Sequence, residues 1–240
     1  MSSQIDAILQ AGRQLAQSCD DLRFSAKVWA VYNAFDYAWP GYAAYVRRFG
    51  GGRKKTLFLG MNPGPWGMAQ TGVPFGEIEA VRGWMGLEAE IGKPPREHPK
   101  RIVEGFACQR SEVSGRRLWG LFKDIHGSAE GFFTSAFVLN YCPLAFLLES
   151  GANLTPDKLS ATEREPLEAA CDAHLRAILE ILQPQRAVGV GGWATKCLQR
   201  LKVDNLEIGT LLHPSPASPI ANREWPQRPL AQLQAMGIVQ

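Results

Sequence analysis

The sequence predicts an α/β fold, a single domain with a central four-stranded parallel sheet flanked by helices on both faces. Three observations carry this reading. Short apolar runs at 56–60, 137–139 and 187–190 are continuous rather than alternating, as strands covered on both faces must be, and 206–212 reads as a fourth strand. Segments with helical spacing of apolar residues separate them, and strands alternating with helices favour parallel pairing. A chain of 240 residues without a break in composition can bury one sizeable core, so residues 1–240 are read as one domain.

In chain order, residues 4–17 (Ile5, Ile8, Leu9, Leu15) and 27–37 (Val28, Val31, Tyr32, Phe35) have helical spacing, and an aromatic stretch runs on to Phe49. Residues 1–50 are therefore expected to form a helical N-terminal layer. A charged turn, Gly50-Gly51-Gly52-Arg53-Lys54-Lys55, leads into the first strand at 56–60. Residues 86–113 lack a period and read as a long surface excursion. Ser114 is placed to cap a helix carrying Leu118, Leu121, Phe122 and Ile125. The strand at 137–139 delivers Asn140, Tyr141 and Cys142 ahead of Pro143, and residues 166–182 form an amphipathic helix stopped before Pro184. The strand at 187–190 passes through Gly191-Gly192 into another helix, and the strand at 206–212 ends in His213-Pro214-Ser215-Pro216. Three strands thus run towards Asn62, Asn140 and His213. Parallel neighbours would bring these to one sheet edge, where open α/β sheets bind ligands.

Composition excludes several classes. A net charge of +3 neither demands nor forbids a polyanionic partner. Five scattered cysteines with no CxxC support neither a disulfide framework nor a zinc or iron–sulfur site, and no metal or cofactor is expected. The N-terminus lacks the features of a signal peptide, so an intracellular protein is expected, in the cytoplasm or nucleoid of a bacterium or the nucleus of a eukaryote. The most apolar stretch, 132–148, is broken by Asn140 and Pro143 and reads as a strand running into a loop rather than a membrane span.

The stretch GMNPGPWGMAQTGVPFGE, 60–77, holds little side-chain chemistry. Asn62 is a poor base but can hold a water or a polar ligand, or else satisfy the turn around it. Phe75, between Pro74 and Gly76, is either a core plug or a stacking platform. Asn140 offers a donor and an acceptor suited to a base edge, or it caps the strand end. His213, ahead of a stiff Pro-Ser-Pro turn, is the best candidate to stabilise a developing anion. His98, His126 and His174 are assigned no chemistry. Gly189-Val190-Gly191-Gly192-Trp193-Ala194 fits G-x-G-x-x-A, which reads either as a dinucleotide-binding turn or as tight strand–helix packing; its position near the C-terminus favours packing. The basic runs at 53–55 and 93–101 are solvated loops or phosphate contacts.

Taken together, residues 60–77, SEVSGRRLWGLF at 111–122, NYCPL at 140–144 and HPSPAS at 213–218 resemble the single-strand-selective monofunctional uracil-DNA glycosylases of the uracil-DNA glycosylase superfamily. The resemblance covers the chain from about residue 25 onward. It implies a uracil-DNA glycosylase-like fold in which Asn62 positions the attacking water, Phe75 stacks on a flipped base, Asn140 bonds its pairing edge and His213 stabilises the departing uracil anion. It further implies that Gly64 leaves room at C5 for 5-substituted uracils such as 5-hydroxymethyluracil, with Met61 and Met68 lining the same pocket. The stretch 214–222 is similar to the family's DNA-intercalating loop, with Pro214, Ser215, Pro216, Ala217, Ser218, Ile220 and Arg223 as candidate DNA contacts. Animal members carry an arginine where this chain has Ala217, so Ile220 or Arg223 would have to act as the plug.

The expectation is therefore a monomeric DNA repair enzyme that releases uracil, and some 5-substituted uracils, from single- or double-stranded DNA. It would leave an abasic site uncut, because no lysine stands at these strand ends to form a Schiff base. The alternatives are a non-catalytic protein that binds damaged bases or DNA, and a nucleotide-dependent oxidoreductase built on residues 189–194.

Overall fold

The structure, a computed structural model, describes residues 2–239. It opens with α1 (Ser2–Asp20), followed by β1 (Ala30–Asn33), the short α2 (Ala34–Tyr37) and α3 (Trp39–Phe49). The expected helix over 27–37 is thus a correction. Val31 and Tyr32 belong to a strand that pairs antiparallel with a later one, Ala30 opposite Leu147 and Asn33 opposite Leu144. Four residues between a loop and a helix cap are too few for periodicity to tell strand from helix. Asn33 then caps α2 by accepting from the Phe35 amide at 3.2 Å. The N-terminal layer accordingly contains a strand as well as helices.

Next come β2 (Thr56–Gly60), the single-turn α4 (Met68–Thr71) and a π-type turn at Ala80–Trp84. The excursion that follows holds only a 3₁₀ turn, Gly105–Ala107, before α5 (Val113–His126). Glu112 occupies the cap position of α5 and Ser114 lies inside its first turn, which shifts the expected start by two residues. Then follow α6 (Ala129–Phe133), β3 (Ala136–Asn140), β4 (Leu144–Leu147) and β5 (Asn153–Leu154). After Asn140 the strand runs into a short loop, 141–143, and a further strand, β4, follows it. Helix α7 (Ala161–Leu182) begins five residues before the expected Pro166, fixed by a capping box between Ser160 and Glu163. The chain ends with β6 (Arg186–Val190), α8 (Gly192–Arg200), β7 (Glu207–Leu211), α9 (Pro219–Glu224) and α10 (Gln227–Ala235).

The four expected strands form one parallel sheet in the order β3-β2-β6-β7, with helices flanking it. A small antiparallel sheet, β1-β4-β5, is joined to it. Every residue of β2 and β3 is buried. Phe58 of β2 packs on Phe122 of α5 and Phe132 of α6, while Tyr45 of α3 stacks on Phe137 of β3 and donates from its hydroxyl to the Val138 carbonyl at 2.9 Å. All five cysteines are free and buried. The run at 53–55 is partly removed from any surface role, since Lys54 is buried, donates to the Phe133 carbonyl and has its pKa lowered by burial to about 8.

His174 of α7 lies buried against the edge of the Phe35 ring, with neither ring nitrogen bonded. Burial lowers its pKa from the usual 6.5 to about 4. The unfolded chain therefore takes up this proton near pH 6.5 while the folded chain resists it until about pH 4. Stability is complete above the first value and falls as pH drops through that window, by about 3 kcal/mol at most. His174→Leu, which removes two unpartnered nitrogens, is expected to keep or raise the urea midpoint at pH 7 and to flatten its decline between pH 6.5 and 4.

Candidate active site

The parallel register brings the polar residues together. Gly60, the last residue of β2, stands opposite Asn140, the last of β3, and the backbone continues the pairing as Tyr141 donates to the Gly60 carbonyl at 2.9 Å and Cys142 to that of Met61 at 2.9 Å. Beyond this edge lies a cavity of about 370 Å³, lined by Met61, Asn62, Gly64, Pro65, Phe75 and Asn140 together with Glu112, Ser114, Asn153, Thr155, His213 and Ser215. Asn62, Phe75, Asn140 and His213 therefore share one pocket.

The closeness of Asn140 and Phe75 depends on Gly60 having no side chain. A Cβ there would stand 2.2 Å from Asn140 Oδ1 and 2.5 Å from the Phe75 ring. Phe75 itself adopts a left-handed backbone, φ 51°, unusual for a bulky residue. It is held by its carbonyl, which accepts from the Trp119 indole at 2.9 Å, and by Gly115, whose bare Cα passes close to that same carbonyl. Its ring therefore forms a fixed wall of the cavity. Asn140 is 3% exposed. Its Nδ2 donates to Met68 Sδ at 3.1 Å, and its Oδ1 is enclosed without a partner. Met68 thus acts through Asn140 and stands behind the cavity lining.

Asn62 sits on the turn after β2, and its Nδ2 donates to the Leu144 carbonyl at 3.2 Å. Its other atom, Oδ1, is left as an acceptor. His213 follows β7, two strands away from β2 across β6. Gly191, at φ 91°, spans that gap: a Cβ on it would lie 3.1 to 3.4 Å from the His213 ring and its Cβ. His213 Nδ1 accepts from the Ser215 amide at 3.1 Å, which places the proton on Nε2, and burial lowers the pKa, which keeps the ring neutral.

The G-x-G-x-x-A turn is explained by the same geometry. Gly189 lets β6 pack on Thr195, whose amide would be 2.3 Å from an added Cβ, and Gly191 makes room for His213. Of the two readings of this turn, packing is the one the structure supports.

The loop after His213 is braced from α5. Arg117 donates to the Pro214 carbonyl at 3.1 Å and to Asn222 Oδ1 at 3.0 Å. Ser215 lines the cavity, and its hydroxyl accepts from the Ala217 amide at 3.1 Å. Ser218 caps α9 by accepting from the Ala221 amide at 3.2 Å. Pro216, Ala217, Ile220 and Arg223 are exposed, while Pro214 is buried.

Gly64 has an acid for its neighbour. The space beside it holds the carboxyl of Glu112: a Cβ on Gly64 would stand 1.6 Å from Oε1, and one on Gly67 1.7 Å from Oε2. Burial, and then the neighbouring Glu77, push this carboxyl up to about 7. Sequence reading passed over Glu112, Trp119 and Arg117, all of which lie at or within the motif 111–122. A half-buried acid at a cap position and two large polar side chains on a short helix are signals that become legible only once the facing loops are known.

Comparison with known proteins agrees with this geometry. The chain matches the model of the uracil DNA glycosylase superfamily over residues 48–234. It is 45% identical to the single-strand selective monofunctional uracil DNA glycosylase of Bos taurus, over 99% of this chain and 88% of that protein. It is also 45% identical to the counterpart of the same description from Rattus norvegicus, over 99% and 86%. The crystal structure of Pedobacter heparinus SMUG2 shares the fold, with a TM-score of 0.60 at 18% identity over 94% of this chain and 92% of that one. With its sheet, its pocket and these relatives in agreement, the chain belongs to the uracil DNA glycosylase superfamily.

Proposed function

We propose that this protein is a monofunctional uracil-DNA glycosylase, which flips uracil out of DNA and hydrolyses its glycosidic bond in base-excision repair. The observation that carries the reading is Asn140 Oδ1, buried at the end of β3 without a hydrogen-bond partner. An enclosed acceptor of this kind is costly until a donor reaches it. The N3–H of uracil is such a donor, and O4 can accept from the second hydrogen on Nδ2. Cytosine offers an acceptor at N3 and a donor at N4, so the same amide opposes it. Phe75 supplies the stacking wall that a flipped base requires.

The chemistry then follows from neutral groups. Breaking the bond between C1′ and N1 sends its electron pair to the base, leaving positive charge on the sugar. The neutral His213 donates from Nε2 to the O2 atom, where the anion develops, and a donor fixed in advance needs no reorganisation. Asn62 Oδ1 accepts from the water that adds to C1′, while its Nδ2 remains tied to Leu144. The proton that the water sheds as the new C–O bond forms ends on the uracil anion, giving free uracil and an abasic sugar. No lysine lines the described cavity, which supports hydrolysis without a Schiff base or strand cleavage. The braced loop 214–223, with Ile220 exposed near its tip, is suited to wedge into the stack and hold the vacated site open. Both single- and double-stranded DNA are proposed as substrates, acted on by the monomer, and uracils with polar groups at C5 as further ones.

Release of free uracil from a uracil-containing oligonucleotide in EDTA is the direct test. Well-folded protein that binds the oligonucleotide tightly yet leaves every base attached would identify a damage-binding protein instead. His213→Ala and Asn62→Ala are each expected to lower single-turnover release roughly a hundredfold to a thousandfold while the thermal midpoint stays within a few degrees. Gly191→Ala adds a methyl group against His213 at a φ that disfavours alanine. It should lower release at least tenfold with little change in oligonucleotide affinity, read by single-turnover rates against filter binding.

A further inference from the structure

The motif at 140–144 supplies Asn140 to the pocket, but another of its members, Cys142, has no part in the chemistry described above. Cys142 is fully buried in the short link between β3 and β4. Its sulfur bonds both backbone groups of Leu144, accepting from the amide at 3.4 Å and donating to the carbonyl at 3.7 Å. A thiol can do both, because donor and acceptor share one atom. Pro143, between the two residues, is anchored as well, its carbonyl accepting from the Ala34 amide at 3.1 Å.

The Leu144 carbonyl is also the group that holds Asn62. It receives two donors, Asn62 Nδ2 at 3.2 Å and the Cys142 thiol, one for each of its lone pairs. The Cys142 amide meanwhile donates at 2.9 Å to the carbonyl of Met61, the residue before Asn62. Cys142 is therefore tied to Asn62 twice: to the backbone just ahead of it and, through Leu144, to the tip of its side chain.

The two ends of an amide are alike in shape and opposite in hydrogen bonding. Turned by half a rotation, Asn62 would present N–H groups to the water and could accept nothing from it. Which end faces the water is decided by what holds the other, and here that is the Leu144 carbonyl. We propose that Cys142 is a positioning residue for the hydrolysis: by fixing the Leu144 carbonyl it keeps Asn62 Nδ2 engaged and Oδ1 turned towards the attacking water. The inference rests on the function proposed above. Base binding depends on Phe75 and Asn140, so loss of the sulfur is felt in the rate of bond cleavage and not in affinity.

The test measures single-turnover release of uracil from a single-stranded oligonucleotide beside oligonucleotide affinity, with folding checked by thermal melting. The variants are Cys142→Ala, Cys142→Val, which keeps the bulk without the bonds, and Cys142→Ser, whose hydroxyl keeps both bonds. Alanine and valine are each expected to lower the rate roughly fivefold or more with affinity little changed, since a small misplacement of a catalytic group is costly, and serine to restore most of the loss. Either apolar variant carries the comparison if the other does not fold. The same substitutions are then placed on Asn62→Ala, where the amide to be positioned is gone. Their effect should shrink there to less than about twofold, because residues that act through one another are not additive. An unchanged rate in the apolar variants, no rescue by serine, a loss of affinity equal to that of rate, or an undiminished effect on Asn62→Ala would overturn the role of Cys142 while leaving uracil excision standing. A wild type that releases no uracil would overturn both readings.

Discussion

The site depends on one close approach. Gly60 and Asn140 face each other at the ends of two parallel strands, and the absent side chain of Gly60 is what allows the Asn140 amide and the Phe75 ring to meet. Parallel pairing fixes the register of these two residues, because sliding β3 by one residue would turn Asn140 away from the pocket and bring Leu139 to the edge. The Asn140 amide is thus positioned by the backbone of the sheet. The residues of the adjoining turns need only close around it.

Much of this was legible in the sequence. Continuous apolar runs identify buried strands because both faces of the central sheet are covered, and the expected polar residues follow those strands. Asn62, Asn140 and His213 could be placed on one edge from topology alone. What stayed hidden depends on contacts between segments distant in the chain. Strand β1 escaped because its four residues are stabilised by pairing with β4, more than a hundred positions later, and not by local pattern. Glu112 escaped because a glutamate ahead of a helix ordinarily faces solvent, and only the pairing of α5 with two glycines of the 60–77 turn encloses it. Gly191 was read as packing, which is correct, although the group it accommodates is the His213 ring.

Electrostatically the pocket works with neutral groups. His213 is kept uncharged by burial, two amides supply the directional bonds, and the one acid is pushed towards neutrality. Charge that appears during bond cleavage is then the strongest local source of field, and the fixed dipoles around it need not compete with permanent ions. Arg101 and Arg110, which are not part of the cavity lining, lie over the Trp66 ring. The walls of the cavity and the exposed tip of the loop after His213 are distinct sets of residues.

Helix α5 joins the two. Within its 14 residues and the cap before them, Glu112 forms one wall, Trp119 holds the Phe75 carbonyl, and Arg117 braces the loop after His213. Substitutions in this helix are accordingly pleiotropic, since a tilt that alters one of the three contacts alters the others. The exposed residues of that loop, such as Ala217, Ile220 and Arg223, make none of these three contacts, so their replacement leaves the anchor of the helix untouched.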